Sequence, residues 1–331
     1  MECADQFIGL KKYESFKMTN KKISIIIPAY NEEITIKNVI LDFHQQFPDA
    51  DIYVIDNNSK DDTKKIVLDL IESSQSKLHY LFEGVQGKGS AVRTAIRNIN
   101  SDIYVMVDAD ETYHAQDLHK MLEIFENTQA DMLVGDRIST GDYQKENKRK
   151  FHAFGNNLVR NLINFYFKSK LNDIMTGYRV FSRKFIKNYA LIYDGFEIET
   201  DMTIHALDKK LKIVEHPVKY SDRPLGSNSK LSTIKDGVKV LWTIFNLIRY
   251  YKPLSFFIFF SFAILLIALL FGSIPINEYI KTGYITRIPL AILSSSMVLL
   301  SMQLFISGLI LDAIARGNRI AFEREWTKSN Q

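Results

Sequence analysis

Cysteine is nearly absent: Cys3 is the single one in 331 residues, so neither an intramolecular disulfide nor a cysteine-built metal site is available. A reducing compartment is compatible with that. The first twenty or so residues lack the continuous apolar core and small-residue cleavage site of a signal peptide. A concentrated basic stripe is also missing. The formal net charge is only +4, which gives no footing for nucleic-acid binding and suits an anionic membrane surface equally well. With 46% hydrophobic and 24% charged residues, the composition excludes a disordered chain and allows one sizeable α/β domain plus something smaller.

Charge is missing altogether from two long stretches. Leu254–Ile274 and Ile288–Leu311 carry none, and each is long enough to cross a hydrocarbon core of about 30 Å. Lys230, Lys235, Lys239, Arg249 and Lys252 precede the first run, and Arg316, Arg319 and Arg324 follow the second. The connecting Pro275–Arg287 has only Lys281 and Arg287, opposed by Glu278. The positive-inside rule then predicts a two-span protein of the cell membrane, with the preceding domain and both termini cytoplasmic. Over 231–252, Ile234, Val238, Leu241, Phe245 and Ile248 share one helical face, opposite Lys235, Lys239, Asn246 and Arg249. That pattern predicts an amphipathic helix lying in the membrane interface. Ser294–Ser296, Ser301, Ser307 and Gly308 supply small residues for helix packing, compatible with a homo-oligomer.

Before these runs, strands and helices alternate. Ile23–Pro28 reads as a buried strand and Glu32–Gln46 as a helix with Ile36, Val39, Ile40 and Phe43 on one face. Strands at Asp51–Ile55, Leu78–Phe82 and Ile103–Val107 follow, with helices at Asp61–Ile71 and Ser90–Asn98. Such alternation predicts a mostly parallel sheet whose ligands bind beyond the strands' carboxyl ends. The boundaries expected are an N-terminal extension over 1–21, an α/β domain over 22–230, the amphipathic helix over 231–252, the hairpin over 253–315 and a tail over 316–331.

The strand ends carry the chemistry. Val105–Glu111 ends an apolar strand on Asp108 and Asp110, oxygen ligands that suit Mg²⁺ or Mn²⁺ bridging a diphosphate. Asp-x-Asp alone is weak, because acidic pairs also cap helices. Pro28–Glu33 and Ile55–Ser59 close two other strands, where Asn31 and Asp56 either contact a nucleoside or simply cap turns. Gly84–Ser90 matches neither GxxxxGK[ST] nor GxGxxG, yet a glycine-rich turn carrying Lys88 before a helix suits a diphosphate.

PAYNEE, VIDNNSKDDT, GKGSAV, VDADETY, MLVGDR, IMTGYRVF and YSDRPLGSNSKL occur in one order from Ile23 to Lys230. Together they resemble the family 2 glycosyltransferases, specifically the polyprenyl-phosphate (bactoprenol and dolichol-phosphate) sugar transferases. The resemblance implies a GT-A fold, a nucleotide-sugar donor and inversion at the sugar carbon. It implies that Pro28, Tyr30, Glu32 and Asp56 hold the nucleoside, and Asp108 and Asp110 the metal and diphosphate. Arg137, Arg223 and Lys230 would bind phosphate, Arg223 being placed for a lipid phosphate. Asp173 is the implied base or sugar-orienting residue, and D173N is expected to leave donor binding intact. One departure stands out: Thr112 occupies the place where dolichol-phosphate mannose synthases have a glutamine, so GDP-mannose is not implied.

Glu197, Glu199 and Asp201 form an acidic run that suits sugar hydroxyls or an ordinary helix start. The resemblance also implies a polyprenyl-phosphate sugar as product, for cell-envelope glycan modification, with UDP-glucose or UDP-N-acetylglucosamine as donor. Two other readings are a processive polysaccharide synthase, whose QxxRW motif is not found, and a non-catalytic nucleotide-binding membrane scaffold.

Overall fold

The computed structural model describes residues 21–73, 77–141, 150–191, 195, 197–224, 242 and 245–328, the side chains of 150–154 excepted. Lys230 and most of the expected amphipathic helix lie outside the described residues; its end, 245–250, is helical.

Seven strands form one sheet: β1 (Ile23–Ala29), β2 (Asp51–Asp56), β3 (Leu78–Phe82), β4 (Ile103–Met106), β5 (Met132–Asp136), β6 (Arg179–Ser182) and β7 (Ile213–Pro217). Their order is β3-β2-β1-β4-β6-β5-β7. The ladders are parallel except where β6 runs antiparallel between β4 and β5. β1 is a β-branched run buried on both faces, which a central parallel strand requires. Its side chains alternate: Ile25 and Ile27 enter one core, and Ile26 enters the other.

The first core is closed by α1 (Ile36–Gln46), α2 (Thr63–Ser73) and α4 (Ala115–Thr128). α1 buries Ile36, Val39, Ile40 and Phe43, the stripe its spacing predicts. The second core lies under α3 (Lys88–Asn98), a short α6 (Arg183–Asn188) and α7 (Ile198–Asp208). α5 (Lys150–Phe167) packs with α7 in a third cluster that includes Ile163, Ile204 and Leu247. From β1 the chain builds outward to β2 and β3, then crosses to β4 on the other side. The crevice beyond the carboxyl ends of β1 and β4 is therefore the switch point where ligands bind in such sheets.

Two helices follow, α8 (Pro253–Thr282) and α9 (Ile288–Lys328), both long and apolar enough to cross a membrane. They run further than the charge-free stretches. α8 continues through Pro275 to Thr282, and α9 has no break at 315/316, so the expected tail is one helix with the second span. At 1.5 Å per residue its 41 residues reach about 60 Å, about twice a hydrocarbon core. The far end packs Phe322 and Trp326 onto the second core of the α/β domain. Ser294, Ser301 and Gly308 recur every seventh residue on the α9 face turned to α8. Ser261 and Ser301 bond across the helices at 2.8 and 2.9 Å, and a Cβ on Gly308 would stand 2.8 Å from that of Phe257. These three small residues thus serve the hairpin itself.

Candidate active site

The loop after β1 is laced to the loop after β2. Asn31, in the left-handed region at φ 51°, accepts from the Lys60 amide at 2.7 Å and donates its own amide to Ser59 Oγ at 2.9 Å. The Glu32 amide donates to Thr63 Oγ1 at 2.8 Å, and Thr35 Oγ1 donates to the Glu32 carboxylate at 3.2 Å. Asp56, fully buried, accepts from the Ser59 amide at 2.9 Å and from the Tyr80 hydroxyl at 2.8 Å. Burial first, and then Asp56, push the Tyr80 phenol well up, so it stays a donor. Asp56 thus forms the turn, and the tyrosine beside it was not visible in the sequence. Asn57 joins two loops. It donates to the Val85 carbonyl at 2.6 Å and accepts from the Gly87 amide at 2.7 Å, which fixes the glycine-rich turn against β2. Gly87 there adopts φ 136°, a conformation open to glycine.

That turn sets Lys88 at the start of α3. Its ammonium is held between the carboxylates of Asp108 and Glu199, the latter at 2.5 Å. Burial alone would lower its pKa, but the two carboxylates outweigh burial and the net shift is upward, so Lys88 is a fixed cation at neutral pH. Its partners come from distant places: Asp108 from the end of β4, Glu199 from the first turn of α7. The acidic run therefore divides. Glu199 enters the site, whereas Asp201 faces away and accepts from the Tyr189 and Tyr251 hydroxyls at 2.6 and 3.2 Å.

Asp110 is likewise engaged. Thr112 Oγ1 donates to one oxygen at 2.6 Å, and Arg223 Nη2 lies 2.5 Å from the other. Arg223 also stands 4.0 Å from Glu32. It arrives there because the chain after β7 runs back over the Asp108–Tyr113 loop. Tyr113 and Tyr220 form an antiparallel bridge, and the Ser221 amide donates to the Thr112 carbonyl at 3.1 Å. Thr112, the family departure, thus locks Asp110 in place.

Arg137 and Asp173 form a two-pronged pair, Nε–Oδ2 at 2.7 Å and Nη2–Oδ1 at 3.0 Å, both nearly buried. Both Asp173 oxygens are turned to Arg137, so in this arrangement Asp173 orients the arginine. The Arg137 guanidinium also lies 5.5 Å over the Tyr220 ring. Gly177 leaves room for Asp108: a Cβ there would fall 2.3 Å from Oδ2. Nothing in the sequence separates this glycine from one that merely turns the chain. Beneath it, the fully buried Arg179 donates to the carbonyls of Ile174 and Thr176 at 2.6 and 3.0 Å, holding the segment before β6.

Of the residues expected, Glu32, Asp110 and Arg223 meet in one group, and Lys88 and Asp108 meet in another with Glu199. Arg137 and Asp173 pair with each other, beside Tyr220. Pro28 and Tyr30 lie on the β1 end, and Lys230 lies outside the described residues.

This sheet order, with Asp108 and Asp110 just past the end of β4 at the switch point, is that of a GT-A fold. Residues 24–190 match glycosyl transferase family 2, and the chain belongs to that family. It is 29% identical to glycosyltransferase AglJ of Haloferax volcanii over 92% of this chain and 98% of that one. It is 30% identical to the UDP-N-acetylglucosamine–dolichyl-phosphate N-acetylglucosaminyltransferase of Methanococcus voltae over 61% of this chain and 86% of that one. Among solved structures, the glucosyl-3-phosphoglycerate synthase of Mycobacterium tuberculosis shares the fold. It has a TM-score of 0.55 at 19% identity and covers 69% of this chain and 79% of that one.

Proposed function

We propose that this glycosyltransferase moves a sugar from a nucleotide sugar to a polyprenyl phosphate at the cytoplasmic membrane face, with inversion at the anomeric carbon. The observation that carries it is the pair of carboxylates at the switch point, each facing a cation, in a domain docked on a helical hairpin of membrane-spanning length. The Methanococcus relative, named for UDP-N-acetylglucosamine and a dolichyl phosphate, supports UDP-N-acetylglucosamine as donor, with UDP-glucose the alternative. A polyprenol monophosphomannose synthase of Mycolicibacterium smegmatis, 24% identical over 63% of this chain, supports the acceptor class.

The donor set suits a divalent cation that arrives with its substrate. Among the described residues no group of three His, Cys, Asp or Glu forms a protein cage. Asp108 and Asp110 are two hard oxygen donors, the number that Mg²⁺ or Mn²⁺ uses when phosphates and water complete its shell. The fold neighbour is a protein crystallised with Mn²⁺ and UDP. Such an ion would neutralise the leaving diphosphate.

The chain's own residues then have distinct work. Glu32 and Asp56 form the nucleoside end, and Lys88 offsets carboxylate charge beside the diphosphate. Arg223, bridging Asp110 and Glu32, is the cation for which an incoming phosphate competes; its planar fork suits two phosphate oxygens. A phosphate monoester, with a second pKa near ~6, is largely a dianion at neutral pH and needs no base. Its oxygen bonds to the anomeric carbon, the bond to the nucleoside diphosphate breaks, and that electron pair leaves on the diphosphate. Positioning and charge stabilisation carry the step.

Incubating the full-length protein with polyprenyl phosphate and a panel of radiolabelled nucleotide sugars tests this. A labelled monosaccharide lipid is expected. A polymer, or tight nucleotide binding with no product, refutes it.

A further inference from the structure

We propose that the junction between the catalytic domain and the membrane hairpin holds a binding site for the headgroup of an anionic bilayer phospholipid. This rests on the reading that α8 and α9 span a bilayer. The two described cavities of note both open there, away from the carboxylates. One, of about 380 Å³, has a floor of Phe257, Leu311 and Ile314 from the two spans and a rim of Arg249, Tyr250 and Lys209. The other, of about 620 Å³, shares Asp208 and Lys209 with it and continues along α9 past Arg319 and Arg324 to Lys328.

The walls are unequally charged. Six basic residues line the two cavities (Lys209, Lys210, Arg249, Arg319, Arg324, Lys328) against the acidic Asp208 and Glu323. Asp208 is already neutralised: Arg319 donates to it through Nε at 2.9 Å and lies 2.8 Å away through Nη2. Arg319 also donates to the Tyr251 carbonyl at 2.9 Å, so this arginine ties the joint together and is not itself a ligand group. Among the described residues Lys210, Arg249 and Arg324 make no ion pair, and all three are solvent-exposed.

Height and chemistry agree on the occupant. The first cavity includes Pro253, where α8 begins, and so lies where headgroups meet hydrocarbon. An anionic phospholipid brings a phosphate for the cationic rim and acyl chains for the apolar floor, and basic residues at this level draw such lipids. The reacting acceptor phosphate is a poor candidate. Glu199, in the active site, and Lys209 stand ten residues apart along α7, about 15 Å.

The test uses the full-length protein and the variant K210Q/R249Q/R324Q in phosphatidylcholine–phosphatidylglycerol nanodiscs. Retained lipid is counted by native mass spectrometry after extraction into detergent. Wild type is expected to keep phosphatidylglycerol over phosphatidylcholine. Each basic residue near the surface contributes roughly fivefold, so the triple variant loses phosphatidylglycerol affinity on the order of 100-fold. Matching melting temperatures show that the variant is folded. Equal retention by both proteins, or no headgroup preference in wild type, overturns the proposal. Stoichiometric displacement of phosphatidylglycerol by polyprenyl phosphate also overturns it, since the cavity is then an acceptor site. Release of the wild-type protein from membranes by alkaline carbonate overturns the span reading and this proposal together; normal membrane retention without lipid preference overturns this proposal alone.

Discussion

Gly177→Ala is the sharpest probe of the carboxylate pair. The added Cβ would stand 2.3 Å from Asp108 Oδ2 and 2.6 Å from both Cγ and Oδ1. Ordinary contact is about 3.5–4.0 Å, so the Asp108 side chain must retreat by roughly 1 Å. Backbone strain plays no part, since Gly177 is not among the positive-φ glycines. The carboxylate can swing away while the sheet holds, so stability should fall by only about 1–3 kcal/mol, the usual cost of overpacking. Activity should fall much further. A misplacement of about 1 Å at a reacting site costs on the order of 100-fold, and the swing also pulls Asp108 off Lys88. The assay is kcat/KM for the nucleotide sugar at fixed polyprenyl phosphate, with thermal melting and titration with Mn²⁺ and UDP in parallel. Gly155→Ala is the control, because a Cβ there meets nothing within 4 Å. A folded G177A enzyme with wild-type turnover would refute the placement of Asp108 at the reacting centre.

Two further outcomes follow from buried charge. Burial pushes the Asp201 carboxyl up to about 6 despite its two tyrosine hydrogen bonds, and its protonated form is the one the fold favours. Stability from this group is therefore full below its unfolded pKa of about 3.9 and falls as pH rises through about 6, by on the order of 3 kcal/mol. His205, on the same helix, has the opposite sign: burial, then Lys209, hold it down to about 4, so its share is lost as pH falls from about 6.5 toward that value. The two slopes oppose each other in the wild type. D201N removes one of them, so its melting temperature should drop more steeply on acidification across this window; parallel curves for the two proteins would contradict the assignment. D173N should lower stability by about 3 kcal/mol, since breaking a buried ion pair leaves Arg137 uncompensated. It should also raise the donor KM, read from melting and initial rates together. An unaltered KM would restore the sequence-based expectation that donor binding survives.

Much of the fold is legible in the sequence because burial imposes a period. The run Ile23–Ala29 admits only a central strand, the α1 stripe is the one its spacing predicts, and two charge-free stretches must be long apolar helices. β5, β6 and β7 escaped notice because runs of four or five residues carry little periodic signal, and the antiparallel pairing of β6 with β4 and β5 follows from contacts distant in sequence. The extension of α9 to Lys328 was hidden for another reason. Its polar face resembles a solvated tail, and only the seating of Phe322 and Trp326 on the catalytic core shows that it is a packed helix.

For the site, sequence alone determined which residue types stand at the strand ends: Asp56, Asp108 and Asp110, with Lys88 and Arg223 as available cations. Tertiary structure decided the pairings. It matched Lys88 with Asp108 and Glu199, Arg223 with Asp110, and Arg137 with Asp173, and it set Gly177 against Asp108. The physical reason is that side-chain chemistry is local to the chain, whereas a carboxylate's charge and orientation depend on which cation the fold brings within about 4 Å.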